Sequence, residues 1–515
     1  MLYPTLEEIN TSRDLIDAFR GYDHNLRISE NSFYDMKNMT SNHYPILSPR
    51  GKRGRYLFPT NYIVVKENGV EDDEENNTIT DHNIQGMVAK DSLCYVDGRD
   101  FIINNYKIMG LELSDEPKNL ISMGAYVIIM PDKKWVNTEN QKFGNIENRY
   151  EPEEVSHTSF ELCKIDGSSY GNVEKGEEYP NGLKVPVDPK DPNGDKEPPD
   201  KAFWIDTSSV PHSLKQWSKS SSMWVPIATT YIKISSRGIA AGFEKYDGVV
   251  ISGLKDTPLT DTFGNAIENK KDLEAIDGSF VIWDKHESED GDDDYIVIVG
   301  MLDEVRTIKQ AIKVTRTMPE MDFIIESRNR LWGCKYGAAR NGDIVNEIYA
   351  CKLGDFKNWD CFMGISTDSY VASCGTDGKF TGAITFQGYP IFFKEECFHK
   401  VYGNLPSDFQ IQDTACKGVQ YKSDKSLAIV NNILYYKARS GICAYDGSLP
   451  VEISSVFGDI AYSDAVAGGI GNKYYVSMKD QSGKYNLFVY DTAKGMWHKE
   501  DDLKVEQFCS CRGEL

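Results

Sequence analysis

The chain has 515 residues, 40% of them apolar, and carries 57 basic against 79 acidic side chains, a net charge of -22. That length suggests roughly three domains, and the apolar share is enough for a sizeable core. The longest apolar run, Tyr295 to Leu302, is too short for a membrane helix of about 20 residues. A polyanion also does not gather onto nucleic acid through its bulk field, which argues against sequence-specific DNA binding.

At the start of the chain, Glu7 and Glu8 stand where an export signal would carry its apolar stretch, so Sec export is not expected. Eleven cysteines, an odd number with no CxxC spacing, read as free thiols made in a reducing cytoplasm. The 29 Tyr, 22 Phe, 8 Trp and 42 Gly form a β palette, in which aromatic residues fill pleated surfaces and Gly supplies turns. Helical periodicity is scarce; Leu6 to Phe19 and Val305 to Ile312 are the best candidates.

Taken in chain order, Arg50, Lys52, Arg53 and Arg55 put four cations in six residues of an acidic protein. They read as a solvated turn, or as a contact with phosphate or with an acidic neighbouring subunit. Ser92 to Val96 and Phe101 to Ile103 flank Asp97-Gly98, a strong hairpin signal. Ala125 to Met130, then Pro131-Asp132 and Trp135, read as another blade edge. Residues 164 to 201 are rich in Pro, Gly, Asp and Lys and read as loop or linker. Beyond them lie apolar strands, from Phe203 to Asp206 through Tyr295 to Val299, without a regular spacing.

The last 190 or so residues repeat one unit. Strand pairs meet at Gly388, at Asn431-Asn432 and at Asn472, intervals of 44 and 40 residues; Asn329 to Gly388 is 59, which needs an inserted loop. A period of about 40 to 45 matches four strands per blade of a β-propeller. Tyr490-Asp491 with Trp497, and Leu353-Gly354-Asp355 with Trp359, suit the ends of outer blade strands. The expectation is an all-β chain. Residues 1–150 and 319–515 form the two parts of one β-propeller of six or seven blades, and 151–318 form an inserted β-rich domain.

Motifs with catalytic overtones fail on context. Gly167-Ser168-Ser169-Tyr170-Gly171 matches a nucleophile elbow, but the following Asn172-Val173-Glu174-Lys175-Gly176 cannot be its helix. The carboxylates at Asp191, Asp195 and Glu197, and at Asp290, Asp292 and Asp294, lack the twelfth-position Glu of a calcium loop. Gly468-Gly469-Ile470-Gly471 lies between strands and reads as a hairpin turn. Cys509 and Cys511 lack further ligands, and only His399 near Cys397 pairs a His with a Cys. Glu395-Glu396 on a strand would point to opposite faces. No catalytic, cofactor-binding or metal residues are assigned, and an enzyme is not expected.

Several stretches carry a resemblance. Asn31 to Asn38, then Tyr44-Pro45, Leu47, Pro49 and Arg50, resemble the start of phage tail proteins of the hub or nozzle kind, also described as packaged-DNA stabilisation or tail tubular proteins. Met321 to Ile325 with Asn329 to Cys334, and Glu347 to Cys351 leading to Leu353-Gly354-Asp355 and Trp359, extend it. Ala202 to Thr207 with Leu214-Lys215 and Trp224 is similar to a small β module of tail proteins. The resemblance implies a virion structural protein of the tail, assembled in the host cytoplasm as a homo-oligomeric ring, usually a hexamer. Its partners would be the portal, its adaptor and other tail proteins. Genomic DNA would pass without sequence-specific binding, and no membrane would be entered. It implies no catalytic residues. The alternative is a receptor- or glycan-binding propeller at the tail tip, with Trp and Tyr of the insert stacking on sugars.

Overall fold

A computed structural model describes residues 18–46, 48–54, 58, 63–65, 71–72, 81–152, 157–170, 185–255, 257–268 and 270–515. The protein is all-β: among these residues the one α-helix is the four-residue Lys271–Glu274. Five four-stranded antiparallel sheets among these residues are each formed by consecutive strands. Sheet I holds Ile84–Ala89, Leu93–Asp97, Asp100–Ile103 and Tyr106–Ile108, extended by Ile63–Val65 and Glu71–Asp72. Sheet II runs from Asn119–Met123 to Phe143–Asn145, and sheet III from Phe323–Ser327 to Tyr370–Ser373. Sheet IV runs from Gly382–Phe386 to Gln410–Ala415, sheet V from Ala428–Val430 to Val451–Glu452, and sheet VI from Tyr462–Ile470 to Met496–Asp501.

The repeating hairpin has a local cause. In sheets III, IV and V the first two strands are joined by Arg328-Asn329, Gln387-Gly388 and Asn431-Asn432, and all six residues have positive φ. Two left-handed residues in succession make the turn whose twist matches that of paired strands. Asn and Gly tolerate that conformation best. Sheet VI turns at Gly471-Asn472. The long interval before Gly388 is taken up by residues 351–369, between Ile344–Ala350 and Tyr370–Ser373. Leu353, Asp355 and Trp359 lie in that loop and not at a strand end. Arg330 organises it, with its guanidinium buried and donating to the carbonyls of Cys351, Ser366 and Asp368 at 2.6–3.1 Å.

Side chains alternate across each strand, so each sheet offers one apolar set to either neighbour. In sheet II, Leu120, Val127 and Ile129 pack with Val96, Phe101 and Ile103 of sheet I. Ile121, Met123 and Ile128 face the other way and pack with Ile324 and Leu331 of sheet III. Trp332 and Ile348 meet Phe392 and Val401 between sheets III and IV. Phe393 and Phe398 meet Leu434 and Tyr436 between IV and V. Tyr435 and Ile442 meet Tyr474 and Val476 between V and VI. Sheets I and II therefore stack in one series with III to VI, although about 180 residues separate them in the chain.

Among the described residues, the remaining face of sheet I fully buries Tyr95 and Ile102, with Phe58, Ile84, Met87 and Leu93 half-buried around them. Here the C-terminal tail joins sheet VI to sheet I. Gln507 exchanges two hydrogen bonds with the backbone of Met87, and Arg512 donates to the carbonyl of Asp91. The segment from Phe19 to Met36 packs on sheet VI, with Phe19, Tyr22 and Met36 in the core around Phe488 and Trp497. Gly21 has φ +96 and lies where a Cβ would be 2.3 Å from the Trp497 carbonyl, so only Gly fits there. The proposed helix Leu6 to Phe19 lies almost wholly outside the described residues.

Strands between Asn148 and Arg316 pair only with one another among the described residues. Asn148–Tyr150, Lys313–Arg316, Gly248–Ser252 and Gly278–Val281 form one sheet. It packs face to face on a five-stranded sheet containing Thr158–Cys163, Tyr231–Ser235 and Tyr295–Val299, through Tyr150, Val249, Val314, Phe160, Ile234 and Ile296. A third sheet, Val187–Asp188 with Phe203–Asp206, Ser213–Ser218 and Met223–Pro226, packs Ile205 and Leu214 on Leu162. The expected helix Val305 to Ile312 is instead the strand Arg306–Ile308, paired with Thr158 to Phe160. Its β-branched Thr307 and Ile308 fit a sheet edge, and a free edge was available there.

The two ends of this region meet. The Glu147 carboxylate accepts the Met318 N–H at 3.1 Å and the Lys133 ammonium at 2.6 Å. Removing residues 148–316 and joining Glu147 to Thr317 through a short Gly linker should leave a product that unfolds cooperatively, because closing so short a gap costs little. Circular dichroism and thermal unfolding check this; aggregation without a transition would show that the six sheets need the inserted region.

Candidate functional site

The four cations picked out in the sequence fall beside sheet VI. Arg50 lies at 3.0 Å from Asp501 and 3.8 Å from Glu500. Arg53 lies at 2.8 Å from Glu500 and 2.7 Å from Asp501. Two guanidinium groups and two carboxylates thus form one intrachain lattice, pinning the segment after Ser48–Pro49 to the outer strand of sheet VI. Lys52 is exposed and has no carboxylate partner among the described residues. Arg55 lies outside the described residues. A solvated turn, a phosphate contact and an acidic neighbouring subunit were the expected readings; for Arg50 and Arg53 the acidic groups belong to the same chain.

These side chains line a solvent-open cleft of about 1480 Å³ between sheets VI and I. Its walls include Lys473 and Tyr475 on one side, Met87 and Leu93 on the other, and the tail from Leu503 to Leu515. Lys473 donates to the Thr40 hydroxyl at 3.0 Å and the Asn42 side-chain carbonyl at 2.6 Å. Burial holds its pKa below the usual ammonium value, against the pull of Asp491 and Glu500. The cleft therefore presents Lys52, Lys473 and Arg512 as cations that no carboxylate balances within ion-pair distance among the described residues.

Replacing Arg50 and Arg53 by Gln strips the buried Glu500 of both cations. The expected result is earlier release of the N-terminal segment in limited proteolysis, with sheet VI intact. Lys52→Glu should leave that digestion pattern unchanged, so only this variant reports on a contact outside the chain. Unchanged proteolysis of the double variant would mean that the lattice does not hold the segment.

The other motifs have structural roles. Gly167, with φ +74, turns a hairpin closed by a bridge between Cys163 and Ser169, and Ser168 caps onto Asp166. Gly171 lies outside the described residues. Asp191 accepts the Asn193 N–H and the Trp224 indole N–H, and Asp294 accepts the Ser288 N–H. Gly468 to Gly471 run through the first hairpin of sheet VI. Glu395 and Glu396 sit in the turn between the strands Tyr389–Phe393 and Cys397–Tyr402, not on a strand, and Glu395 accepts the Tyr421 N–H. No group of three or more His, Cys, Asp or Glu among the described residues could hold a metal ion.

One arrangement was missed in the sequence. His399 Nδ1 lies 2.5 Å from Asp413 Oδ1, and its Nε2 lies 2.9 Å from the Thr376 hydroxyl. His399 and Asp413 are directly opposed on neighbouring strands of sheet IV, and Thr376 comes from the connection out of sheet III. Only the pairing register could have revealed the first contact, and nothing in the sequence points to the second.

No protein-family model matches this chain, and no curated protein matches it either.

Proposed function

We propose that the chain is a six-bladed β-propeller carrying a β domain between its second and third blades. In this reading it is a structural protein of a phage tail, forming a ring below the portal and its adaptor that extends and closes the DNA channel. The observation that carries the reading is the stacking of six sheets in one series, with the inserted region leaving and re-entering between sheets II and III. Contacts between sheets run through the first strands of I and II, II and III, III and IV, and V and VI, as inner blade strands would.

The stretches that carry the resemblance have mechanical duties here. Asn31 to Arg50 forms the clasp on sheet VI, and Asn329 to Cys334 with Glu347 to Trp359 builds the sheet III hairpin and its Arg330-anchored loop. The net charge of -22 suits a conduit. Acidic walls repel a duplex, whereas each phosphate bound to a basic wall would add to retention. Membrane entry by a helix has no support, since no described helix is long and apolar enough to cross a bilayer.

Imaging of the intact particle with mass measurement tests the reading. The expected result is six copies in a closed ring; a monomer or trimer in the particle overturns it. A second reading, a glycan binder, draws on the third sheet of the insert. There Trp217 opposes Trp224 at 5.5 Å between ring centroids, Trp224 meets Trp204 at 5.4 Å, and Met223 and Val225 are exposed. Binding of the isolated protein to host cells or glycans would favour that reading.

A further inference from the structure

We propose that Thr376, His399 and Asp413 form an acyl-transfer site in which the Thr376 hydroxyl attacks small, unhindered carboxylic esters. The site does not depend on the assembly reading above.

The geometry is that of an activated nucleophile: hydroxyl, imidazole and carboxylate in line, with the base bonded to both partners. His399 is fully buried on the strand Cys397–Tyr402, and its ring is held edge-on by Phe380 at 5.9 Å between centroids. Asp413 fixes the ring through Nδ1, which leaves Nε2 as the acceptor facing Thr376. The charged groups facing the ring are Asp413 and Lys394. Burial lowers the imidazole pKa and Lys394 adds to this, against Asp413, so the ring is neutral and able to take a proton at pH 7.

Thr376 is held from three sides. Its carbonyl accepts the Lys394 ammonium at 2.6 Å and the Asn346 side-chain amide at 2.7 Å, and its hydroxyl meets His399. A residue serving only to satisfy a buried histidine would not need its backbone pinned as well. Such fixing is what a nucleophile requires if its attack geometry is to be prepaid. The turn around it is open: a Cβ added at Gly375 or Gly378 would meet nothing within 4 Å. The N–H groups of Thr376, Asp377 and Gly378 donate to no acceptor among the described residues. In the proposed reaction they supply the donors for the oxyanion.

In the reaction, Thr376 Oγ1 bonds to the acyl carbon as its proton passes to His399 Nε2. The ester C–O bond then breaks, and the departing alkoxide takes that proton and leaves as the alcohol. Water, deprotonated by the same nitrogen, attacks the acyl-threonine; the carboxylic acid leaves, and the hydroxyl and neutral imidazole are restored. Gly375, Asp377, Gly378 and Lys379 around Thr376 are exposed, so the alcohol portion is unrestricted. The threonine methyl crowds the attacked carbon, which favours small acyl groups such as acetyl.

The test uses the full chain with p-nitrophenyl acetate. We expect a burst of about one equivalent of p-nitrophenolate and one acetyl group on the peptide carrying Thr376, found by mass spectrometry. Thr376→Val and His399→Gln should each lower the burst rate roughly 100-fold or more. Thr376→Ser should keep it, and Asp413→Asn should lower it less. The rate should rise with deprotonation of a group below the ordinary histidine range. Thr376→Val removes only a hydroxyl, and matching thermal unfolding of wild type and variant would establish that it folds. Release by wild type no faster than by Thr376→Val, or acetyl on lysine or cysteine in place of Thr376, overturns the proposal and leaves the three residues as a clamp between two sheets. Should the variants fail to fold, the site of acetylation in wild type decides.

Discussion

Replacing Arg316 by Met is expected to destabilise the protein by about 3–5 kcal/mol, the usual cost of leaving one member of a buried ion pair alone. Arg316 Nη1 bonds the Asp247 carboxylate, and the two residues are 4% and 1% exposed. The same guanidinium donates through Nε to the Ile146 carbonyl at 3.1 Å. The second Asp247 oxygen accepts the Asn358 amide at 3.0 Å, and Asn358 in turn accepts the Gly248 N–H at 2.8 Å. This one network therefore joins the exit strand of the inserted region, the chain just before its entry strand, and the long loop of sheet III. Removing the cation leaves Asp247 charged in a dry setting, whereas Arg316→Met with Asp247→Leu removes both charges. The double variant should regain most of the loss. Denaturant unfolding checks both; a single-variant loss below about 1 kcal/mol would mean that water reaches the carboxylate once the arginine is gone.

His498 should make the protein acid-sensitive in a definite window. It is fully buried on the strand Met496–Asp501, and neither ring nitrogen has a hydrogen-bond partner among the described residues. Burial pushes its pKa down to about 3, with Lys473 and Lys494 adding to the effect and Asp491 opposing it. An unfolded histidine titrates near about 6.5. Between that value and about 3 the unfolded chain binds a proton that the native chain refuses. Stability is therefore fully present above the unfolded value and falls as the pH drops, by at most about 1.4 kcal/mol per unit. At pH 5 the contribution of this one residue comes to a loss of about 2 kcal/mol. His498→Phe fills the same space with no titrating group, so the gap between variant and wild type should widen from pH 6.5 to pH 5. Parallel stability curves would show that the native ring accepts the proton.

Much of the scaffold could be read from local chemistry. Gly388 and Asn431-Asn432 mark tight hairpins because left-handed turns favour those residue types, and the apolar runs beside them alternate as half-buried strands must. The extra length between Asn329 and Gly388 was legible as an inserted loop for the same reason. Val305 to Ile312 misled because a short apolar stretch looks alike to either period, and the free sheet edge that decided it belongs to residues about 150 positions earlier. The partners of Arg50 and Arg53 lie about 450 residues away, so a cation cluster that looked available proved to be largely satisfied within the chain. The Thr376 to His399 contact depends on how sheet III meets sheet IV, which no local pattern encodes.

The joint between sheets VI and I differs in kind from the other five. Those five are glued by broad apolar faces, so their stiffness comes from packing. The sixth is crossed by the tail from Leu503 onward, with solvent between the facing walls. In the propeller proposed above, a circle with one compliant joint concentrates strain there. If the circle is squeezed or spread by neighbours in a larger assembly, the displacement is taken up at this gap while the five glued joints keep their shape. The give of that gap is set by the reach of the tail, and lengthening or shortening it would tune the gap without touching a core residue.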